Sequence, residues 1–261
     1  MARLDRLVWA AQHTFSLGPF HLGVRSSDSD LASAMARSLS ARLVPDVIAP
    51  ANYSILLPEG KQAGVLYRGY QSMVRTSDTT RLVWATMRHL ASHVEEPSEL
   101  ALGLDAVVRG DQAVLAPRGI ATMPRLLSKG MQEKGYQFLD APWIDLSLER
   151  GELRVAEPGL GWDPEPMRDW MYGDPQFQSV KPGVYRLAGV VLEAPRSTLP
   201  RSSLFWVPQT LRRARNLKSY GPQRAIDGLL NLLDRVPVRA AGGGIRELAA
   251  AVTGSLDGLD D

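Results

Sequence analysis

RGDQAVLAPRGIATMPRLLSKGMQEKGYQFLDAPWIDLS, Arg109–Ser147, is the stretch whose reading decides the fold. Ala113–Leu115 is a short apolar run with the composition of a buried strand. Thr122 is a fair N-cap and Pro124 is at home in a first helical turn, so a helix is expected over Thr122–Lys134. Gln137–Leu139 and Trp143–Leu148 then read as strands, with Asp140 between them. Strand, loop, helix, strand is the ground plan of an α/β domain.

Working outward, Leu100–Val108 pairs with Ala113–Leu115 as a hairpin turned at Arg109–Gln112. Glu152–Val155 and Val184–Leu192 add strands, and Leu204–Val207 reads as a further one. Pro208–Lys218, Gln223–Asp234 and Ile245–Val252 have helical patterns. Upstream, Phe20–Arg25 alternates like a strand. Leu31, Met35, Leu39 and Leu43 recur every four residues behind the N-capping residues Ser26–Asp30, giving one apolar helical stripe. Tyr53–Leu57, Val65–Tyr67 and Gln71–Val74 read as strands, with a turn over Pro58–Gly64. Ser77 or Asp78 caps a second helix, Thr80–Val94, with Val83, Met87, Leu90 and Val94 as its stripe. Glu95–Ser98 is the linker. The expected domains are therefore a mixed α/β lobe over 1–98, a larger α/β domain over 99–255 and an acidic, disordered tail over 256–261.

In order and texture Arg109–Ser147 resembles the core of the HPr kinase family, specifically the HPr-kinase-related proteins of bacterial peptide-modification loci. Leu229–Val252 (LLNLLDRVPVRAAGGGIRELAAAV) looks like the same family's closing segment, a helix, a short strand and a last helix. SLGPFHLGVR and ILLPE are looser likenesses. The resemblance implies an HPr-kinase-like mixed sheet with flanking helices, preceded by the smaller mixed lobe. It also implies a phosphate loop at Ala116–Met123, paired aspartates after the second strand, and a His near Gly103.

This chain departs at each of those places. A phosphate loop reads GxxxxGK[ST], because glycines let backbone N–H groups close on phosphate, Lys reaches the β/γ oxygens and a hydroxyl binds magnesium. The corresponding positions here are Ala116, Ala121, Thr122 and Met123, and a thioether does not ligate a hard cation. Where the family has two aspartates, this chain has Asp140, Ala141 and Pro142. No His lies near Gly103. One reading of the loop is a closed strand-to-helix turn. The other is an anion site built from Arg118, Gly119, Thr122 and Arg125 at a helix N-terminus.

Other clusters divide the same way. Arg212, Arg213, Arg215 and Lys218 lie on one expected helical segment, as a solvated face or as a dock for an acidic peptide. Trp162, Trp170, Tyr172 and Phe177 crowd the long connection Glu157–Pro182, which is expected to pack over the former active-site mouth or to be a recognition surface. His89 and His93 have i, i+4 metal-ligand spacing but no third ligand, so no metal is expected. Asp140 and Asp145 are the candidate catalytic carboxylates.

Composition narrows the classes. There is no cysteine, which excludes disulfides, thiolate chemistry and Cys-bound zinc or iron–sulfur sites. A net charge of +2 demands neither nucleic acid nor membrane. No run approaches the ~18 apolar residues of a membrane span, and the N-terminus lacks an apolar signal core, so a cytoplasmic location is the expectation. Excess Arg over Lys with abundant Ala reflects a GC-rich bacterial genome. The leading functional expectation is a catalytically degenerate, pseudokinase-like protein that binds or scaffolds a peptide or protein partner in peptide modification, with no cofactor. The alternatives are a group-transfer enzyme with a rebuilt site, which would need ATP and magnesium, and a structural subunit of a homo-oligomer.

Overall fold

The computed structural model describes residues 4, 7–117, 120, 130–139, 141–155, 159–172, 180–193, 203–242 and 244–257. The chain forms two compact units, Met1–Glu95 with Pro158–Ser179, and Glu96–Glu157 with Val180–Asp261. Each carries its own mixed sheet, as an α/β reading requires.

In the first unit five strands lie in sequence order: β1 (Ala11–Leu17), β2 (Phe20–Ser26), β3 (Ala51–Leu56), β4 (Gly64–Arg68) and β5 (Gln71–Thr76). β2 and β3 are parallel and the other neighbours antiparallel. A parallel pair needs a crossover, and α1 (Ser29–Ser38) supplies it. Asp28 caps α1 by accepting from Leu31 N at 2.8 Å. Leu31, Met35 and Leu39 are buried along its stripe. The helix ends before Leu43, however, and a 3₁₀ turn at Ser40–Arg42 carries Leu43 into a bridge with Phe15.

α2 (Thr79–Ala91) starts behind Asp78, whose carboxylate accepts from Arg81 N at 3.2 Å. It stops at Ala91, short of the expected Val94. Burial extends all round it, to Arg81, Arg88 and His89 as well as the apolar stripe. The Arg88 guanidinium lies 5.1 Å over the Trp84 ring, a contact that spreads its charge against an aromatic face.

In the second unit the strands are β6 (Leu100–Leu102), β7 (Asp105–Arg109), β8 (Gln112–Ala116), β9 (Gln137–Leu139), β10 (Ile144–Ser147), β11 (Glu152–Val155), β12 (Gly183–Glu193) and β13 (Val238–Ala241). Their order is β6-β10-β11-β12-β8-β7-β9, with β13 beside the far half of β12. β12 is parallel to β8 and to β13, and every other pair is antiparallel. Leu100–Val108 is thus two strands placed far apart in the sheet, and only the second, β7, forms the expected hairpin with β8 turned at Arg109–Gln112. The break is at Gly103, whose N–H donates to Arg213 O at 2.7 Å.

Helices cover both faces. Between α2 and the next of them lies α3 (Arg168–Tyr172), in the first unit. α4 (Ser203–Leu211) and α6 (Pro222–Leu233) place Trp206, Val207, Leu229 and Leu232 in the core with Leu115, Leu146 and Leu153. α7 (Ile245–Asp257) places Leu248, Val252 and Leu256 on the other face with Val107 and Val114. Leu204–Val207, expected as a strand, is inside α4. Periodicity cannot separate a short apolar run in a strand from one in a buried helix, and here Pro208 is tolerated within the helix rather than opening it. The acidic tail is expected from Leu256, but the last helix runs through Leu256 to Asp257, and residues 258–261 lie outside the described residues. Leu256 is buried, and Asp257 is held by Arg109 at 2.7 Å and by the Tyr136 hydroxyl.

Candidate functional site

β8, β12 and β13 run in one direction, and β9 shares it because both β8 and β9 are antiparallel to β7. The carboxyl ends at Ala116, Leu139, Glu193 and Ala241 therefore meet at one sheet edge. In open α/β sheets that edge is where ligands bind. Arg118, Gly119, Thr122, Arg125 and Asp140, which the sequence assigns to this place, lie outside the described residues. Among the described ones, Ala116 is buried at the mouth and is followed by Pro117, neither of which has the conformational freedom of a phosphate-loop glycine.

Asp105 is the residue that sequence reasoning missed. It opens β7 directly opposite Ala116, on the sheet face of Val107 and Val114, and is 6% exposed. A lone aspartate in an apolar run gave no signal, because only the hairpin register sets it beside the loop.

Asp145 is elsewhere. It pairs with Arg154 on β11, which pairs with Val184 on β12, six residues before the Val190 that faces Leu115. Three strand spacings sideways and six residues along place it about 20 Å or more from the mouth of β8. Its own surroundings are structural. Oδ2 accepts from Ser98 N and Oγ at long distances of 3.4 and 3.5 Å, and Oδ1 is buried with no partner among the described residues. Burial pushes its carboxyl above the ordinary value, against the opposing Ser98 hydrogen bonds and the Arg154 charge. A carboxyl with a raised folded-state value stabilises the protein below its unfolded value, near pH ~4, and that contribution is lost as pH rises through the folded value. Asp145→Asn is therefore expected to raise the melting temperature at pH 7 and to change it little at pH 3; equal gains at both would contradict this account.

The four basic residues do not share a helix face. α4 ends at Leu211, Ala214 makes a bridge to Leu102, and Arg215 N donates to Ala101 O at 2.9 Å. Backbone pairing with the open edge of β6 takes the segment out of helix. Arg212 and Arg213 follow α4, Arg215 lies on this edge, and Lys218 is on the short α5 (Leu217–Tyr220), all four exposed. Asn216 finishes the edge: its Oδ1 accepts from Ala101 N at 2.9 Å and its amide donates to Glu99 O at 2.7 Å. Asn216→Ala strands both groups and is expected to cost about 1–3 kcal/mol in chemical denaturation; a loss below about 0.3 kcal/mol would mean water replaces both bonds at no cost.

The described part of the aromatic connection packs into the first unit's own core. Leu160, Met167 and Met171 are buried in the first unit's core, and Trp162 and Trp170 pack against it, half-buried. Ser38 fastens it, donating to Asp163 O at 2.6 Å and accepting from Asp163 N through its own carbonyl at 2.9 Å. Tyr172 remains exposed, edge-on to Trp84 at 5.8 Å, while Phe177 lies outside the described residues. His89 is buried in α2 and His93 lies beyond its end, and no group of three metal-ligating side chains occurs among the described residues. No helix among the described residues is long and apolar enough to cross a membrane.

No protein-family model matches this chain, and no curated protein or solved structure matches it.

Proposed function

We propose that the chain is a catalytically degenerate HPr-kinase-like protein that binds a peptide or protein partner and scaffolds it for modification. One observation carries the reading: strand β8 leads into the joint carboxyl edge of a parallel set, the position of a phosphate loop, with Ala116 and Pro117 where a glycine turn would start. The distance of Asp145 from that edge supports it, since a base must come within hydrogen-bond reach of the proton it takes. Calorimetric titration of ATP, with magnesium and with manganese, tests it. The expected result is no saturable heat at millimolar nucleotide, together with partner-peptide affinity that ATP leaves unchanged. Micromolar ATP binding would overturn it.

Asp105 favours a second reading, group transfer from a rebuilt site, because a carboxylate beside the loop is what such a site needs. That reading predicts ATP and magnesium binding that Asp105→Asn abolishes.

A further inference from the structure

At one end of the first unit's sheet lies a pocket of about 380 Å³ that the kinase-like reading does not use. Phe20 at the start of β2, Asn52 and Tyr53 near the start of β3, Arg68 at the end of β4, and His93 beyond α2 line it with Leu22. Arg68 and Tyr53 are directly opposed across β3 and β4, so their side chains share a sheet face. The Tyr53 hydroxyl and His93 Nε2 are 2.9 Å apart. The Phe20 ring stands edge-on to His93 at 6.0 Å and is still 52% exposed. Asn52 is already committed, its Oδ1 accepting from Gly23 N at 3.0 Å.

The electrostatics point one way. Among the described residues no carboxylate lines the pocket. Arg68 is exposed and makes no ion pair with any described residue. Burial, and then the Arg68 charge, hold His93 below its ordinary value, so it is neutral at pH 7. In either neutral tautomer the Tyr53 hydroxyl and the His93 ring hydrogen-bond to each other. The pocket thus offers one fixed cation and an apolar wall. Its volume is at the small end of the ~300–1,000 Å³ of ligand sites. One cation and one ring's worth of apolar wall suit a single carboxylate rather than a polyphosphate.

We propose that this pocket binds a small carboxylic acid with an aromatic or branched apolar body, the carboxylate on Arg68 and the body against Phe20 and Leu22. The acid is either a free metabolite or the C-terminal residue of a peptide, which present the same chemistry. The proposal is independent of the function assigned to the second unit.

The test uses the full chain with three probes, 3-phenylpropionate, its amide and N-acetyl-phenylalanine, followed by calorimetry and by the His93 ring resonances. Both acids are expected to bind saturably and to move those resonances, the amide at least about tenfold more weakly, as loss of a charge-assisted bond implies. Arg68→Gln should weaken the acids by about ten- to a hundredfold, and Phe20→Ala should weaken them with Arg68 intact. Tighter binding of N-acetyl-phenylalanine assigns a peptide terminus, and tighter binding of 3-phenylpropionate a free acid. Equal affinity for acid and amide, unchanged affinity in Arg68→Gln, or no saturation at millimolar concentration would each overturn it.

Discussion

Gly23→Ala is expected to destabilise the protein by about 3 kcal/mol, the upper end of what overpacking costs. The strain is steric, since Gly23 does not adopt the left-handed backbone. A Cβ there would lie 2.4 Å from Pro50 O and 2.6 Å from Ala49 O. Both are backbone atoms, so no rotamer change relieves the contact. The pairing of β2 with β3 is already irregular between Gly23 and Val24. Relief must come from pulling the two parallel strands apart. That would also lengthen the 3.0 Å bond from Gly23 N to Asn52 Oδ1. Urea denaturation should show a lower midpoint with an unchanged slope. A change under about 0.5 kcal/mol, the range of ordinary surface substitutions, would mean that β3 can move freely.

Leu115→Ala should cost the second unit about 3–4 kcal/mol, within the range of buried Leu→Ala changes. Leu115 is 1% exposed and belongs to the core under α4 and α6. Its strand, β8, has neighbours on both edges, β12 and β7. A site held on both edges and covered by helices collapses poorly, so the cavity persists and the cost is high within that range. Leu146, on β10 in the same core, is expected to cost less when cut to Ala, because β6 beyond it is only three residues long and can shift. Equal losses at the two sites would refute the view that central position sets the cost.

Much of the local structure was legible from sequence because it rests on local chemistry. Asp28 and Asp78 cap helices through contacts three residues away. The turns before Gly64 and at Gly110 follow from breaker residues, and the apolar stripe of α1 follows from helical periodicity. What escaped the sequence depends on contacts between distant residues. β1 is polar enough to give no strand pattern, and exists because β2 pairs with it along its whole length. The segment after Leu211 leaves helix because the edge of β6, over a hundred residues earlier, takes its backbone.

The candidate sites divide likewise. That Ala116, Ala121, Thr122 and Met123 do not match the pattern GxxxxGK[ST] is a matter of residue identity, and sequence alone determined it. So were the absence of cysteine chemistry and the α/β class, which follow from composition and from the alternation of strand and helix patterns. Only the tertiary structure decided which carboxylate stands where. Register and strand order put Asp105 beside the loop and carry Asp145 to a distant part of the sheet. They also put Tyr53 against His93, 40 residues later. The physical reason is the same throughout: capping and periodicity act over a few residues, while strand pairing and burial join residues whose separation along the chain carries no trace in local pattern.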